Sequence, residues 1–201
     1  MPREWIRRQK KDKFYQKAKE EGFRARAAYK IRQIQTKFKV ISQGNSILDI
    51  GCAPGSWIQE IKREFKEVSI TGVDLVKMRP IEGVIFVKGD IGEDTIIDNL
   101  AKVLPQEMDV ILSDCAPKLS GSKETDYARH IFLVERVLQI MKRFLKQNGH
   151  LVCKLFDGED TNKIRTELKQ TFKEIWLFKP ESSRKESAEL YLIGKYYKRS
   201  D

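Results

Sequence analysis

With 201 residues, the chain is long enough for one domain with a sizeable core and too short for two. Its 40% hydrophobic and 34% charged residues exclude wholesale disorder, and no apolar run approaches the roughly 18 residues that cross a bilayer. The net charge of +10 lies entirely in residues 1–40, where fourteen Lys/Arg face four acids, so the other 161 residues sum to zero.

A neutral body with a basic arm points to a polyanionic partner, because clustered Lys/Arg displace counterions from phosphates. Nucleic acid fits better than a membrane surface, since the arm has no long apolar stripe. Trp5, Phe14, Tyr15, Phe23 and Tyr29 interleave with the charges and either stack on bases or anchor the arm to the body. The opening Met1–Arg8 lacks the apolar stretch of a secretory signal. Residues 4–20 and 25–38 read as two helices broken at Gly22. In the second, Ala27, Ile31, Ile34 and Phe38 recur at helical spacing and should face the body.

After Gly44 short apolar runs alternate with amphipathic segments. Ser46–Ile50 is a candidate strand, Trp57–Phe65 a helix, Val68–Asp74 and Val84–Lys88 strands, Thr95–Leu104 a helix and Asp109–Ser113 a strand. A long helix is expected near Asp126–Leu145, closed by Gly149, then a strand at His150–Leu155 and a helix at Thr161–Thr171. The last strands, near Ile175–Phe178 and Leu190–Tyr196, have only a polar loop between them and should pair antiparallel at one edge. This alternation predicts an α/β domain, a mostly parallel sheet with helices on both faces, in which residues 1–40 form a basic helical extension of a body spanning 41–201. Cys52, Cys115 and Cys153 are odd in number and lack Cys-x-x-Cys spacing, so neither a disulfide framework nor a metal site is expected, and a reducing cytoplasm is the expected compartment.

Candidate chemistry gathers at strand ends. Leu48-Asp-Ile-Gly-Cys-Ala-Pro-Gly-Ser-Trp57 runs from a strand through Gly51 and Gly55 into a helix, which lets a ligand approach the backbone; it equally suits a plain connection. It is neither a P-loop nor a Gly-x-Gly-x-x-Gly fingerprint. Asp74, about 20 residues on, is placed to accept from ribose hydroxyls or to cap a turn. Asp90 either meets an adenine amino group or opens a capping box with Glu93. Jointly these sites suggest a nucleoside-bearing ligand. Asp114 ends the fourth strand, and Lys154 follows the apolar Leu151-Val152, where a lysine needs a partner or a function.

Together, Asp49-Ile-Gly-Cys-Ala-Pro-Gly-Ser-Trp57, Ser113-Asp-Cys-Ala-Pro117, Lys154 and Glu189 resemble the FtsJ/RrmJ-type ribose 2′-O-methyltransferases, from about Phe23 to Tyr196. The resemblance implies a Rossmann-like, S-adenosylmethionine-dependent methyltransferase fold, with a seven-stranded mostly parallel sheet and an antiparallel last strand. It implies a catalytic tetrad of Lys30, Asp114, Lys154 and Glu189, and cofactor contacts from Gly51, Gly55, Trp57, Asp74, Asp90 and Asp114. The implied substrate is a ribose 2′-OH, a uridine of large-subunit rRNA in the members most alike, with an RNA partner and a monomeric enzyme. Cys52, Ser56, Cys115 and Asp157 depart from residues common in bacterial members and leave the RNA target less defined. A tRNA anticodon loop is the alternative substrate. A non-catalytic RNA-binding protein that retains the fold is the alternative class, against which the complete tetrad argues. Lys154 would activate the hydroxyl, as a base with a depressed pKa or as a hydrogen-bonding cation.

Overall fold

The computed structural model describes residues 12–104, 107–184 and 186–199. Helix α1 (Lys13–Glu20) opens on Asp12, whose carboxylate accepts from the Phe14 and Tyr15 amides. The earlier part of the expected first helix lies outside the described residues. Beyond Gly22, α2 (Ala28–Phe38) turns Ile31, Ile34 and Phe38 towards the sheet, as their spacing predicts.

The chain continues through β1 (Ser46–Ile50), α3 (Ser56–Glu64), β2 (Ser69–Asp74), β3 (Val84–Lys88), α4 (Thr95–Val103), β4 (Met108–Ser113) and α5 (Lys123–Phe144). It ends with β5 (Leu145–Phe156), α6 (Thr161–Thr171), β6 (Phe172–Phe178) and β7 (Glu189–Tyr197). Seven strands form one sheet in the order β3-β2-β1-β4-β5-β7-β6. β7 runs antiparallel to β5 and β6, and the other pairings are parallel. The last two strands do pair antiparallel, but β7 lies inside the sheet and leaves β6 at the edge. Burial explains the order: Tyr191, Leu192 and Ile193 are all buried and need cover on both faces, whereas Lys173 and Glu174 of β6 are exposed. β5 begins earlier than expected because its register with β4 slips between Met108↔Leu145 and Val110↔His150, with Asn148 at a φ of 62° in the intervening bulge.

Helices cover both faces. One core joins Ile96 and Leu100 of α4, Val137 and Ile140 of α5, and Ile164 and Leu168 of α6 to the sheet. The other joins Ile31 and Ile34 of α2 to Trp57, Ile58 and Ile61 of α3 and to Ile47, Val110, Val152 and Ile193 of the sheet. α2 is therefore a layer of the fold, and truncating a fully buried isoleucine such as Ile34 would cost about 2–5 kcal/mol. No helix among the described residues is long and apolar enough to cross a membrane. The chain winds outward from β1 to β3 and returns on the other side of β1 as β4. The carboxyl ends of β1 and β4 thus flank the crevice at which such sheets bind ligands.

Candidate active site

Strand alternation aims three charged side chains at one face. Val110 and Leu112 of β4, Val152 of β5, and Ile193 and Tyr191 of β7 belong to the core beneath α2 and α3. Two residues onward along the same faces stand Asp114, Lys154 and Glu189. The antiparallel register Phe156↔Glu189 brings the start of β7 to the end of β5. α2 covers this face and supplies Lys30 from above.

The four side chains meet. Lys154 Nζ lies 2.6 Å from Asp114 Oδ1 and 3.5 Å from Glu189 Oε2, and donates to the Asp114 carbonyl at 2.9 Å. Lys30 Nζ contacts both Glu189 oxygens, at 2.8 and 2.9 Å, and lies 3.7 Å from Asp114 Oδ1. Burial opposes the Lys154 charge, but Asp114 and Glu189 outweigh it and hold the ammonium above the ordinary lysine value. Burial likewise opposes ionisation of Asp114, yet Lys154 and Lys30 keep its carboxyl below the usual range. Glu189 is depressed in the same way: burial works against it, and Lys30 and Lys154 prevail. The resting cluster is thus two ammoniums interlocked with two carboxylates. Of the two roles expected for Lys154, this favours the hydrogen-bonding cation over a neutral base.

Two further residues complete the cluster. Tyr191 donates its hydroxyl to Asp114 Oδ1 at 2.6 Å, and Ser183 donates to Glu189 Oε1 at 2.7 Å. Tyr191 lies two positions past Glu189 on one strand face, a spacing that could have revealed it. Ser183 sits in the β6–β7 loop, where no periodic signal exists.

The expected cofactor residues divide. Gly51 has a φ of 75°, and a Cβ there would stand 2.6 Å from Cys115 Sγ, so only glycine lets the ends of β1 and β4 approach. Gly55, at a φ of 101°, opens α3. Asp74 ties the loops together: one oxygen accepts from the Ala53 amide at 2.9 Å and the other from the Val76 amide at 2.7 Å. Each oxygen keeps lone-pair capacity for a ligand. Asp90 accepts from the Gly92 amide at 2.7 Å, but α4 starts at Thr95, so no capping box forms there. Trp57 is only 3% exposed; it faces the core and donates its indole N–H to the Ala27 carbonyl at 2.9 Å. Its side chain therefore braces the segment before α2, so any contact with a cofactor would come from its backbone at the start of α3.

Ala53, Pro54, Asp74 and residues 76–79, with Arg24, line a cleft of about 610 Å³, well within the roughly 300–1,000 Å³ of small-molecule sites. Asp49, at the end of β1, is 1% exposed with no hydrogen-bond partner on either oxygen. Burial, then Asp114 and Asp74, push its carboxyl well above the usual range. Asp74 and Asp114, at the ends of the strands on either side of β1, suit a ligand with positive charge. Among the described residues no cluster of His, Cys, Asp or Glu could hold a metal.

Comparison with known proteins identifies the family. A ribosomal RNA large subunit methyltransferase E of Methanothrix thermoacetophila is 44% identical over 188 residues, covering 94% of this chain and 73% of the relative. The protein of that name from Methanothermobacter thermautotrophicus is 37% identical, covering 98% of this chain and 95% of its own. A crystal structure described as a ribosomal RNA methyltransferase from Plasmodium falciparum superposes with a TM-score of 0.79 at 33% identity, over 87% of this chain and 98% of that one. The family model of the FtsJ-like methyltransferases matches residues 23–197, from just before the segment braced by Trp57 to the last residue of β7. With sheet, crevice and charged cluster inside that span, the chain belongs to the FtsJ-like methyltransferase family.

Proposed function

We propose that this methyltransferase transfers a methyl group from S-adenosylmethionine to the 2′-OH of a uridine ribose in large-subunit ribosomal RNA. The observation that carries the reading is the convergence of Lys30, Asp114, Lys154 and Glu189 beside the β1–β4 crevice. The names of the relatives support ribosomal RNA as the substrate. The cleft at Asp74 and the acids at neighbouring strand ends fit the donor, with Asp74 and Asp90 for its nucleoside and Asp114 beside its cationic end. Bound S-adenosylmethionine supplies an activated methyl group on a sulfonium.

The protein's task is then alignment and charge stabilisation. Lys154 directs two N–H groups at Asp114; the third, shared with Glu189 at 3.5 Å, is the one available to a ribose hydroxyl. With the donor bound, the O–CH3 bond would form as the S–CH3 bond breaks, leaving a neutral thioether, and the hydroxyl proton would pass to solvent; the Lys154 N–H would hold the ribose oxygen in line and stabilise the negative charge it carries as that proton leaves. Glu189, gripped by Lys30 and Ser183, orients both lysines. The enzyme works as a monomer in the cytoplasm, where its three free thiols need no partners.

Incubation with labelled S-adenosylmethionine and either large ribosomal subunits or purified tRNA, followed by nucleoside mapping, tests the reading. Label in 2′-O-methyluridine from the subunits is expected; label confined to tRNA would overturn the ribosomal assignment.

A further inference from the structure

By its charge and position, Arg24 belongs with the basic arm expected to meet RNA phosphates. The structure occupies it elsewhere. Its Nη1 donates to the Pro54 carbonyl at 2.9 Å and the Arg79 carbonyl at 2.7 Å, and its Nη2 donates to the Pro80 carbonyl at 3.0 Å. Its own amide donates to Gln59 Oε1 on α3 at 2.8 Å. Pro54 lies in the loop after β1, and Arg79 and Pro80 in the loop after β2. These are the two loops that, with Arg24 itself, bound the cleft beside Asp74. The fit is close: a Cβ on Gly55 would stand 3.0 Å from Arg24 Nη1 and 2.9 Å from Ile81 Cδ1.

Planar geometry makes this a bracket. A guanidinium presents its donors in a fixed fork, so one side chain can hold carbonyls of two loops at a set separation, which a lysine cannot do. The bracket also reaches the charged cluster. Three residues on, the Ala27 carbonyl accepts from Trp57, and six residues on, Lys30 grips Glu189. One short segment thus spans the donor cleft and the tetrad.

We propose that Arg24 is a positioning residue that sets the separation of the two donor-cleft loops and the placement of Lys30, and is not a phosphate contact. The proposal rests on the reading of the cleft as the S-adenosylmethionine site. Its test compares wild type, Arg24→Lys and Arg24→Ala by calorimetric titration with S-adenosylmethionine and by binding of large-subunit ribosomal RNA across a salt series. Both variants should weaken donor binding about tenfold or more, with RNA affinity within about twofold and the salt slope unchanged. Arg24→Lys keeps the aliphatic stem and the charge, so it serves if Arg24→Ala does not fold. Full donor affinity in Arg24→Lys would show that charge alone suffices and overturn the bracket. A salt slope reduced by about one with unchanged donor affinity would make Arg24 a phosphate contact instead. If wild type failed to bind the donor, the cleft reading and this assignment would fall together; wild-type binding separates the two.

Discussion

Lys154 and Asp114 meet twice, through the carboxylate at 2.6 Å and through the backbone carbonyl of the same aspartate at 2.9 Å. The double contact fixes where the ammonium points. Replacing Lys154 by Met should therefore cut single-turnover methyl transfer by about 10²–10³-fold or more, the effect of removing one preorganised donor from a developing charge. Donor affinity, measured by calorimetry, should stay within about threefold. A parallel loss of donor binding would make Lys154 a structural residue.

Tyr191 provides a finer test of the same cluster. Its hydroxyl donates 2.6 Å to Asp114, while burial, then Asp114 and Glu189, push its own ionisation well above the ordinary tyrosine value, so it remains a donor at any working pH. Tyr191→Phe removes that one bond and leaves the ring packed against Trp57. Methyl transfer at saturating donor should fall about tenfold, the low end of a hydrogen bond to a charged group. An unchanged rate would place Tyr191 outside the machinery.

His130 sets a pH dependence of stability. It is 1% exposed and stacked on Phe156 at 4.0 Å, and burial followed by the Lys154 charge pulls its pKa from 6.5 to about 4. The unfolded chain thus binds more protons than the folded one between those values. Stability from this group is fully present above about pH 6.5 and declines as pH falls towards 4. The difference should reach about 3 kcal/mol, at 1.36 kcal/mol per unit. Urea unfolding of wild type and His130→Leu should show their stability gap shift in the variant's favour by that order between pH 7 and 4. A gap independent of pH would refute the assignment.

The arm's charge divides between internal and external duties. Arg24 is bound by loop carbonyls, Arg26 by Asp12 and the Ser182 carbonyl, Lys30 by Glu189, and Arg32 by Glu60 and Glu21. RNA attraction should then depend on the remaining basic residues, including the five Lys/Arg within residues 1–11. Deleting residues 1–11 should weaken RNA binding and lower its salt slope by up to about 3.5 units, at roughly 0.7 per contact on single strands. An unaltered slope would move the RNA surface elsewhere.

These cases show what was legible in the sequence. Apolar periodicity placed every described strand and helix, because a residue such as Ile34 or Val152 must find cover whatever its neighbours do. Sheet order was less accessible: β7 entering between β5 and β6 depends on burial of both its faces, which Leu192 and Ile193 satisfy only in context. The tetrad was readable because four charged residues in a family pattern must share one place. Partnerships were not. Trp57 and Arg24 carry residue types suited to ligands, yet both are engaged by backbone carbonyls whose positions appear only after folding. Asp49 stood inside the most conspicuous motif, and its isolation from any partner is a property of packing alone.

The central claim concerns where the methyl group arrives. A 2′-O-methylated ribose cannot form the cyclic phosphate by which alkali cleaves RNA, so a methylated site survives as a dinucleotide. Large-subunit RNA labelled by the wild-type enzyme from S-adenosylmethionine should release its label in alkali-stable dinucleotides, and Lys154→Met should give none. Label recovered in ordinary mononucleotides would place the methyl group on a base and contradict the account.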